Sequence, residues 1–366
     1  MPSLTLLSFS IIPLVILLIP RWIEPYSLLD YKVLNVRPDP QEGCRTTAWF
    51  NMGWWENTDS FPDAAEALAQ KLLDLAYEGG YEGGGSVLDI GHGAGESLVL
   101  HLSQPVPPQH LYGLTSLSSD TSASRALIDD LFPAEKRTTD VSFFTFSAEF
   151  RPGKDVGHPL DRMRGYLGEK QSAERGSGRG GDRWRHEDEE EESEDEGAPD
   201  GVDLGFEIQS PEKDREIATS DSGSSPPPYD LIYILDSIYH YPPSLPSFLT
   251  TLRPVLSPSS LVVFTDIVPP PSLPRWKALL ISYVMKVPFA NVYNRPSVSG
   301  GSFKKRLEES GWEDVIVEDW SEGVWPRFIE NLRARGVFWG VVARVIESAQ
   351  EEGWKFVGVR ARRGER

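Results

Sequence analysis

The sequence predicts an α/β protein built on a Rossmann-like, mostly parallel sheet with flanking helices, and three observations carry that prediction. Val87-Leu-Asp89-Ile-Gly91-His-Gly93-Ala-Gly95-Glu96 is a short apolar run that passes into alternate glycines and opens onto a helix-like stretch, Ser97 to Leu102. A buried parallel strand reads as a continuous apolar run, and glycines at a strand-to-helix turn let the backbone approach a ligand that a side chain would block. A second run, Tyr229 to Leu235, is rich in aromatic and branched residues. Its polar residues gather immediately after its carboxyl end, where open α/β sheets bind ligands. Around these two runs, shorter apolar and helical patterns follow one another as alternating strands and helices do.

Taken in order, residues Leu4 to Pro20 carry no charge and include the run LVILLIP, with Arg21 next. That length lies at the lower edge of what spans a bilayer. The segment lacks a basic n-region and ends Ile-Pro-Arg-Trp, so residues 1–22 are expected to be an uncleaved anchor rather than a signal peptide. Proline at position 13 leaves a buried or interfacial helix as the alternative. Arg21 and Lys32 on its C-terminal side orient the bulk of the chain towards the cytosol, the endoplasmic reticulum being the membrane expected. Residues 23–85 are read as a lid and linker region. Within it, Asn51-Met-Gly53-Trp54-Trp55-Glu56 precedes an amphipathic helix from Pro62 to Tyr77.

The main domain is expected over 86–150 and 229–366. After the glycine turn come a strand ending His110-Leu-Tyr-Gly113-Leu-Thr115-Ser116, a helix starting within Ser118 to Ala126, and a strand from Val141 to Phe146. Residues 151–228 interrupt this progression with 21 acidic and 11 basic residues among Gly, Ser and Pro, nine of the acids falling within Glu187 to Glu196. Such a stretch buries too little apolar area to offset ordering and is expected to be disordered. Ser193, followed by three acids, suits an acid-directed kinase; a plain solvated loop is the alternative. Beyond the fifth strand, which ends near Asp266, Trp276 to Met285 reads as an unusually apolar helix. Ser302 to Ser310 reads as a helix, Val315 to Asp319 as a strand, and the alternating run from Trp354 as a strand that closes the sheet.

Composition excludes several function classes. A net charge of −19 offers no basic stripe for phosphates, so no nucleic acid partner is expected. The single cysteine, Cys44, rules out an internal disulfide. Six histidines show no Cys and His cluster with metal spacing, so no metal is indicated.

The glycines follow G-x-G-x-G after Asp89, not the G-x-G-x-x-G of dinucleotide-binding turns. Asp89-Ile-Gly91-His-Gly93-Ala-Gly95 resembles the first motif of the class I S-adenosylmethionine-dependent methyltransferases. Gly113-Leu-Thr115-Ser116-Leu-Ser is similar to the GITLS-like strand end of the branch containing tocopherol, sterol and cyclopropane fatty acid enzymes. Asp236-Ser-Ile-Tyr239-His240-Tyr-Pro242 is similar to the E-S-x-E-H-x-P run of the tocopherol enzymes, with Tyr239 in place of the second acid. Asp319-Trp-Ser321-Glu-Gly-Val324-Trp-Pro326 resembles that branch's DWS-x-x-V-x-P segment. The resemblance implies a seven-stranded sheet, S-adenosyl-L-methionine as cofactor, and methyl transfer to a small, hydrophobic acceptor of lipid, sterol or prenyl type. A nicotinamide-dependent oxidoreductase and an inactive membrane scaffold of the same fold are the rival readings.

The resemblance also implies roles. Gly91, Gly93 and Gly95 would hold the methionyl end, with Asp89 near its amino group; Thr115 or Ser116, with Asp120 in reserve, would take the ribose; and Glu149 would lie near the adenine. Trp54 or Trp55 would be lid residues attracting the sulfonium, or core. His240 is the candidate base because an ordinary histidine titrates near neutral pH. Packing is its alternative. Asp236 would touch the cofactor, orient His240 or cap a helix, and Tyr239 and Tyr241 are pocket wall or proton carriers.

Overall fold

A computed structural model describes residues 31–37, 45–151, 154–155, 157–161, 228–293, 295–296 and 298–364. The apolar stretch Leu4 to Pro20, Cys44 and the acidic run Glu187 to Glu196 lie outside these residues, as do the anchor and almost all of the insertion. Among the described residues, no helix is long and apolar enough to cross a membrane.

The first long helix, α1 (Phe61–Glu78), starts on Pro62 near its N-terminus, where a missing N–H costs nothing, and stops at Gly79. Its buried face includes Phe61, Leu68, Leu72, Leu73 and Leu75. Each such side chain removed from water contributes about 2 kcal/mol, so this face ties the helix to the sheet. The next elements are β1 (Ser86–Ile90), α2 (Glu96–Leu102), β2 (His110–Thr115), α3 (Ser118–Leu131), β3 (Asp140–Thr145), β4 (Tyr229–Ile234), α4 (Leu245–Leu252) and β5 (Leu256–Val268). They are followed by α5 (Arg275–Met285), α6 (Ser302–Glu309), β6 (Trp312–Asp319), α7 (Ser321–Arg333), α8 (Val337–Glu351) and β7 (Lys355–Arg363).

The seven strands form one sheet in the order β3-β2-β1-β4-β5-β7-β6. Strands β1 to β5 are mutually parallel, and β7 runs antiparallel to both β5 and β6. The last strand therefore does not close an edge, as its sequence pattern suggests, but inserts between two earlier strands. Its burial explains the choice: Phe356, Val357, Val359 and Ala361 are all buried, which an edge would not achieve.

Period-two alternation splits β1 between two cores. Val87 faces α1 with Leu68, Leu72 and Tyr233, whereas Leu88 and Ile90 face Tyr112, Ile232 and Phe248. Asp89 therefore points to the α1 side. The strand order reverses between β1 and β4, and that crevice at their carboxyl ends is where such folds bind ligands.

Candidate active site

The turn after β1 is held in left-handed backbone, with φ of +82° at Gly91, +54° at Gly93 and +101° at Gly95. The three glycines do different work. A Cβ on Gly91 would lie 2.6 Å from both Ser237 Oγ and Tyr241 Oη, and one on Gly95 would lie 2.9 Å from Ser124 Cα. These two let the turn pack against the loop after β4 and against α3. A Cβ on Gly93 would meet nothing within 4 Å, so Gly93 is the position that faces open space. Ser237 and Tyr241 share a 2.6 Å hydrogen bond and both reach Ile90 O, which fixes the two strand ends side by side.

His92, between the first two glycines, turns inward. Its Nδ1 lies 3.1 Å from Ser124 Oγ, and its ring fills the space that a Cβ on Gly113 would need. Burial pushes its pKa down to about 4, so it is neutral and structural. Asp89 is also buried, and neither carboxyl oxygen has a hydrogen-bond partner. The nearest basic atom is His101 Nε2 at 3.9 Å, itself without a hydrogen-bond partner, and His101 sits edge-on to Tyr233. Burial raises Asp89 to about 7, countered only in part by the nearby Ser97 hydroxyl. The same burial lowers His101 to about 4.

At the end of β4, Asp236 has a φ of +50°, strain of about 1–2 kcal/mol for a side chain other than glycine. Hydrogen bonds hold it there. Its N–H donates to Thr265 Oγ1 at 2.7 Å, Tyr239 Oη donates to one carboxylate oxygen at 3.1 Å, and the Met52 N–H donates to the other at 3.0 Å. Burial raises its pKa to about 6, while Tyr239 and the Met52 amide pull the other way. The ring of His240 lies 4.5 Å from that of Tyr239. Burial lowers His240 to about 4, so the ordinary value that recommended it as a base does not hold here. Asp236, not His240, titrates near neutral pH among these two.

A strap of chain from Arg45 to Trp55 links both halves of the crevice. Arg45 makes a bidentate ion pair with Glu96, the first residue of α2, and the Ala48 N–H donates to Glu96 at 2.8 Å. Further along, Met52 reaches Asp236, and Asn51 Nδ2 donates to Ala65 O on α1. Arg45, Met52, Glu96 and His101 are not among the residues that sequence pattern singles out. An acid opening a helix is an ordinary helix-start signal, and nothing local pairs it with an arginine 51 positions upstream. Trp54 turns away to an edge-on contact with Trp320, with Lys71 Nζ 4.3 Å above its ring.

The remaining sequence-derived residues spread along the carboxyl edge. Thr115, buried at the end of β2, accepts a long hydrogen bond from the Leu117 N–H and lies 3.5 Å from Asp120; Ser116 is exposed. Glu149, half-buried, follows β3. The segment from Asp319 to Pro326 is structural: Asp319 caps Ser321 N–H, and Trp320 covers Gly358 of β7, with Pro326 inside α7.

With this arrangement in place, residues 61–317 match a family model described as a methyltransferase domain. The chain belongs to this family. It is a class I, S-adenosylmethionine-dependent methyltransferase, as its motifs imply. No curated protein matches the methyltransferase in sequence. Among solved structures, it is similar to the mycolic acid cyclopropane synthase CmaA1 complexed with SAH and CTAB, at 12% identity and a TM-score of 0.53, covering 92% of this chain and 95% of that one. It is also similar to a protein of Galdieria sulphuraria assigned as a sarcosine dimethylglycine methyltransferase, at 13% identity and a TM-score of 0.50, covering 86% and 93%. The cyclase SpnF matches at 14% identity and a TM-score of 0.50, covering 86% and 87%. At these identities the likeness is one of fold, and a fold does not fix a reaction.

The crevice suits the cofactor on its own evidence. Gly93 leaves open the space a Cβ would enter, and Asp89 offers a buried carboxyl without a hydrogen bond at the strand end that leads into the turn. An amino-acid moiety carrying an ammonium group matches both. Among the described residues, no cluster of metal-ligating side chains occurs.

Proposed function

We propose that this methyltransferase methylates a small hydrophobic acceptor of lipid, sterol or prenyl type at the cytosolic face of a membrane. One observation carries the acceptor class. Asn291 Nδ2 donates to both Tyr239 O and Tyr241 O at 3.1 Å, which fastens the apolar turn Phe289–Val292 to the loop bearing Asp236. Phe289 and Tyr293 stack there with ring centroids 5.0 Å apart, so the segment bonded to the loop of Asp236 and Tyr239 carries aromatic surface. The mycolic acid cyclopropane synthase CmaA1 is complexed with CTAB, an amphiphile, which agrees with this reading.

When bound, S-adenosylmethionine supplies an electrophilic methyl group to a nucleophile aligned with it. In this reading Gly93 gives room for the methionyl end, Asp89 receives its ammonium, Thr115 and Ser116 take the ribose and Glu149 lies by the adenine. Asp236 takes the acceptor's proton. A carboxylate near pKa 6 is mostly ionised at pH 7 and still basic enough to accept, which is the balance general-base catalysis requires. Tyr239 holds its orientation, and His240 walls the acceptor side.

Purified protein incubated with methyl-labelled donor and a total lipid extract should yield a labelled, organic-soluble product, absent with Asp236→Ala. Label confined to water-soluble products would remove the hydrophobic-acceptor reading while leaving the methyltransferase intact.

A further inference from the structure

We infer that α5 is a membrane-docking helix whose exposed face lies in the headgroup region of an anionic bilayer. The inference deepens the proposed function, and its purpose, delivery of an apolar acceptor, rests on that reading. Trp276, Leu279, Leu280 and Tyr283 are 64%, 52%, 48% and 49% exposed. Their spacing of three and four residues puts them on one stripe of the helix, while Ala278 on the opposite side is fully buried. An exposed aromatic and aliphatic stripe on a helix needs an occupant.

Charge identifies it. The whole chain carries −19, yet no acidic residue occurs between Asp266 and Glu308, a stretch holding seven basic ones. Arg275, Lys277 and Lys286 bracket the stripe, the last two exposed or half-exposed at the helix ends. Apolar and aromatic residues on one face with basic residues around them form the pattern of helices that lie in anionic interfaces. At 11 residues α5 measures roughly 16 Å, about half of what a bilayer core requires, so it lies along the surface and does not span.

The helix that Lys277 contacts is apolar on its surface as well. Lys277 pairs with Glu352 beside the end of α8, and α8 carries its own exposed stripe of Val337, Phe338, Val341 and Val345. Arg335, two residues before α8, donates to Val33 O. Val33 is thereby fixed close to the start of α8. On the inner side, α5 leads directly into the Phe289–Val292 turn, which Asn291 bonds to the candidate catalytic loop. A bilayer-held acceptor thus has a short path from the docked helix to Asp236.

The test uses the full chain carrying Cys44→Ser and Leu280→Cys labelled with an environment-sensitive fluorophore, and a control labelled through Asp129→Cys on α3 near the opposite edge of the sheet. Added to vesicles of phosphatidylcholine with phosphatidylserine, the label at position 280 should shift to the blue and be quenched by lipid-borne quenchers; the control should not. Replacing Arg275 or Lys286 by Gln should weaken this response about fivefold per residue, the worth of one basic residue near an anionic surface. A label that stays aqueous on chain that does float with the vesicles overturns the inference, since the N-terminal stretch alone then holds the protein. A label already shielded before vesicles are added overturns it in favour of a second copy or another part of this chain. An equal response to phosphatidylcholine alone overturns the anionic choice. Lipid methylation in detergent that survives Trp276→Glu and Leu280→Glu leaves the proposed function standing without the docking; insertion of α5 with no lipid ever methylated does the reverse.

Discussion

Tyr239 Oη donates to Asp236 at 3.1 Å, and the main-chain N–H of Met52 occupies the other oxygen of the same carboxylate at 3.0 Å. One half-buried acid is therefore shared between the loop after β4 and the strap that crosses it. Both hydrogen bonds favour the ionised form and oppose the burial that raises it to about 6.

The activity should follow that ionisation. We expect kcat/KM to rise with pH through about 6 and the rise to vanish in Asp236→Asn. Tyr239→Phe removes a group that lowers the pKa, so the midpoint should move to higher pH. A midpoint that moves down, or stays, would detach Tyr239 from Asp236.

The glycines should separate by function. Gly93→Ala adds a Cβ into open space at positive φ, costing about 1–2 kcal/mol of stability, and its main effect should be weaker S-adenosylmethionine binding by calorimetry. Gly91→Ala drives a Cβ onto Ser237 and Tyr241 and should lower the melting temperature much further. Equal effects of the two on stability would contradict the different neighbours found for them.

Stability against pH is a balance of opposed groups. Asp89 and Asp236 have folded values near 7 and 6, above the ordinary 3.8, so the folded state binds their protons more tightly and stability falls as pH rises from about 4 through those values. His92, His101 and His240 have folded values near 4, below 6.5, so their contribution is present above 6.5 and lost as pH falls towards 4. Removing one histidine tilts the balance. His101→Leu should flatten the rise of urea stability with pH between 4.5 and 6.5, removing up to about 3 kcal/mol of that gain relative to the parent. An unchanged slope would mean that His101 is not held neutral by its surroundings.

Trp320 and Gly358 should be coupled. A Cβ on Gly358 would lie 2.3 Å from the indole, so Gly358→Ala should cost several kcal/mol, of the order of an overpacked core. Trp320→Leu opens that space at its own cost, and the double variant should be more stable than the sum of the single losses implies. Simple additivity in chemical denaturation would refute the contact.

Much of this site was legible in sequence because its strands are buried on both faces. Val87 to Ile90 and Tyr229 to Ile234 are apolar runs each carrying one acid, Asp89 and Asp230, and the polar residues after them mark the carboxyl ends. The roles within the turn were not legible, because Gly91 and Gly95 answer to Ser237 and Ser124, which are distant in sequence. Helices α7 and α8 also escaped the pattern. Pro326 reads as a stop yet stands inside α7, and Val337, Phe338, Val341 and Val345 blur the polar face that would reveal α8. Asp236 was singled out for its place after β4, but its pull towards neutral pH comes from burial in the folded crevice, which Met52 opposes and no local spacing reveals.

The strap touches its two acids partly through amide groups at Ala48 and Met52, not through the side chains at those positions. The bonds to the acids are consequently indifferent to which side chain stands there, with proline as the forbidden replacement because it has no hydrogen to give. The Met52 side chain also packs against the core, so position 48 is the one where related enzymes could re-line the strap while keeping the same closure.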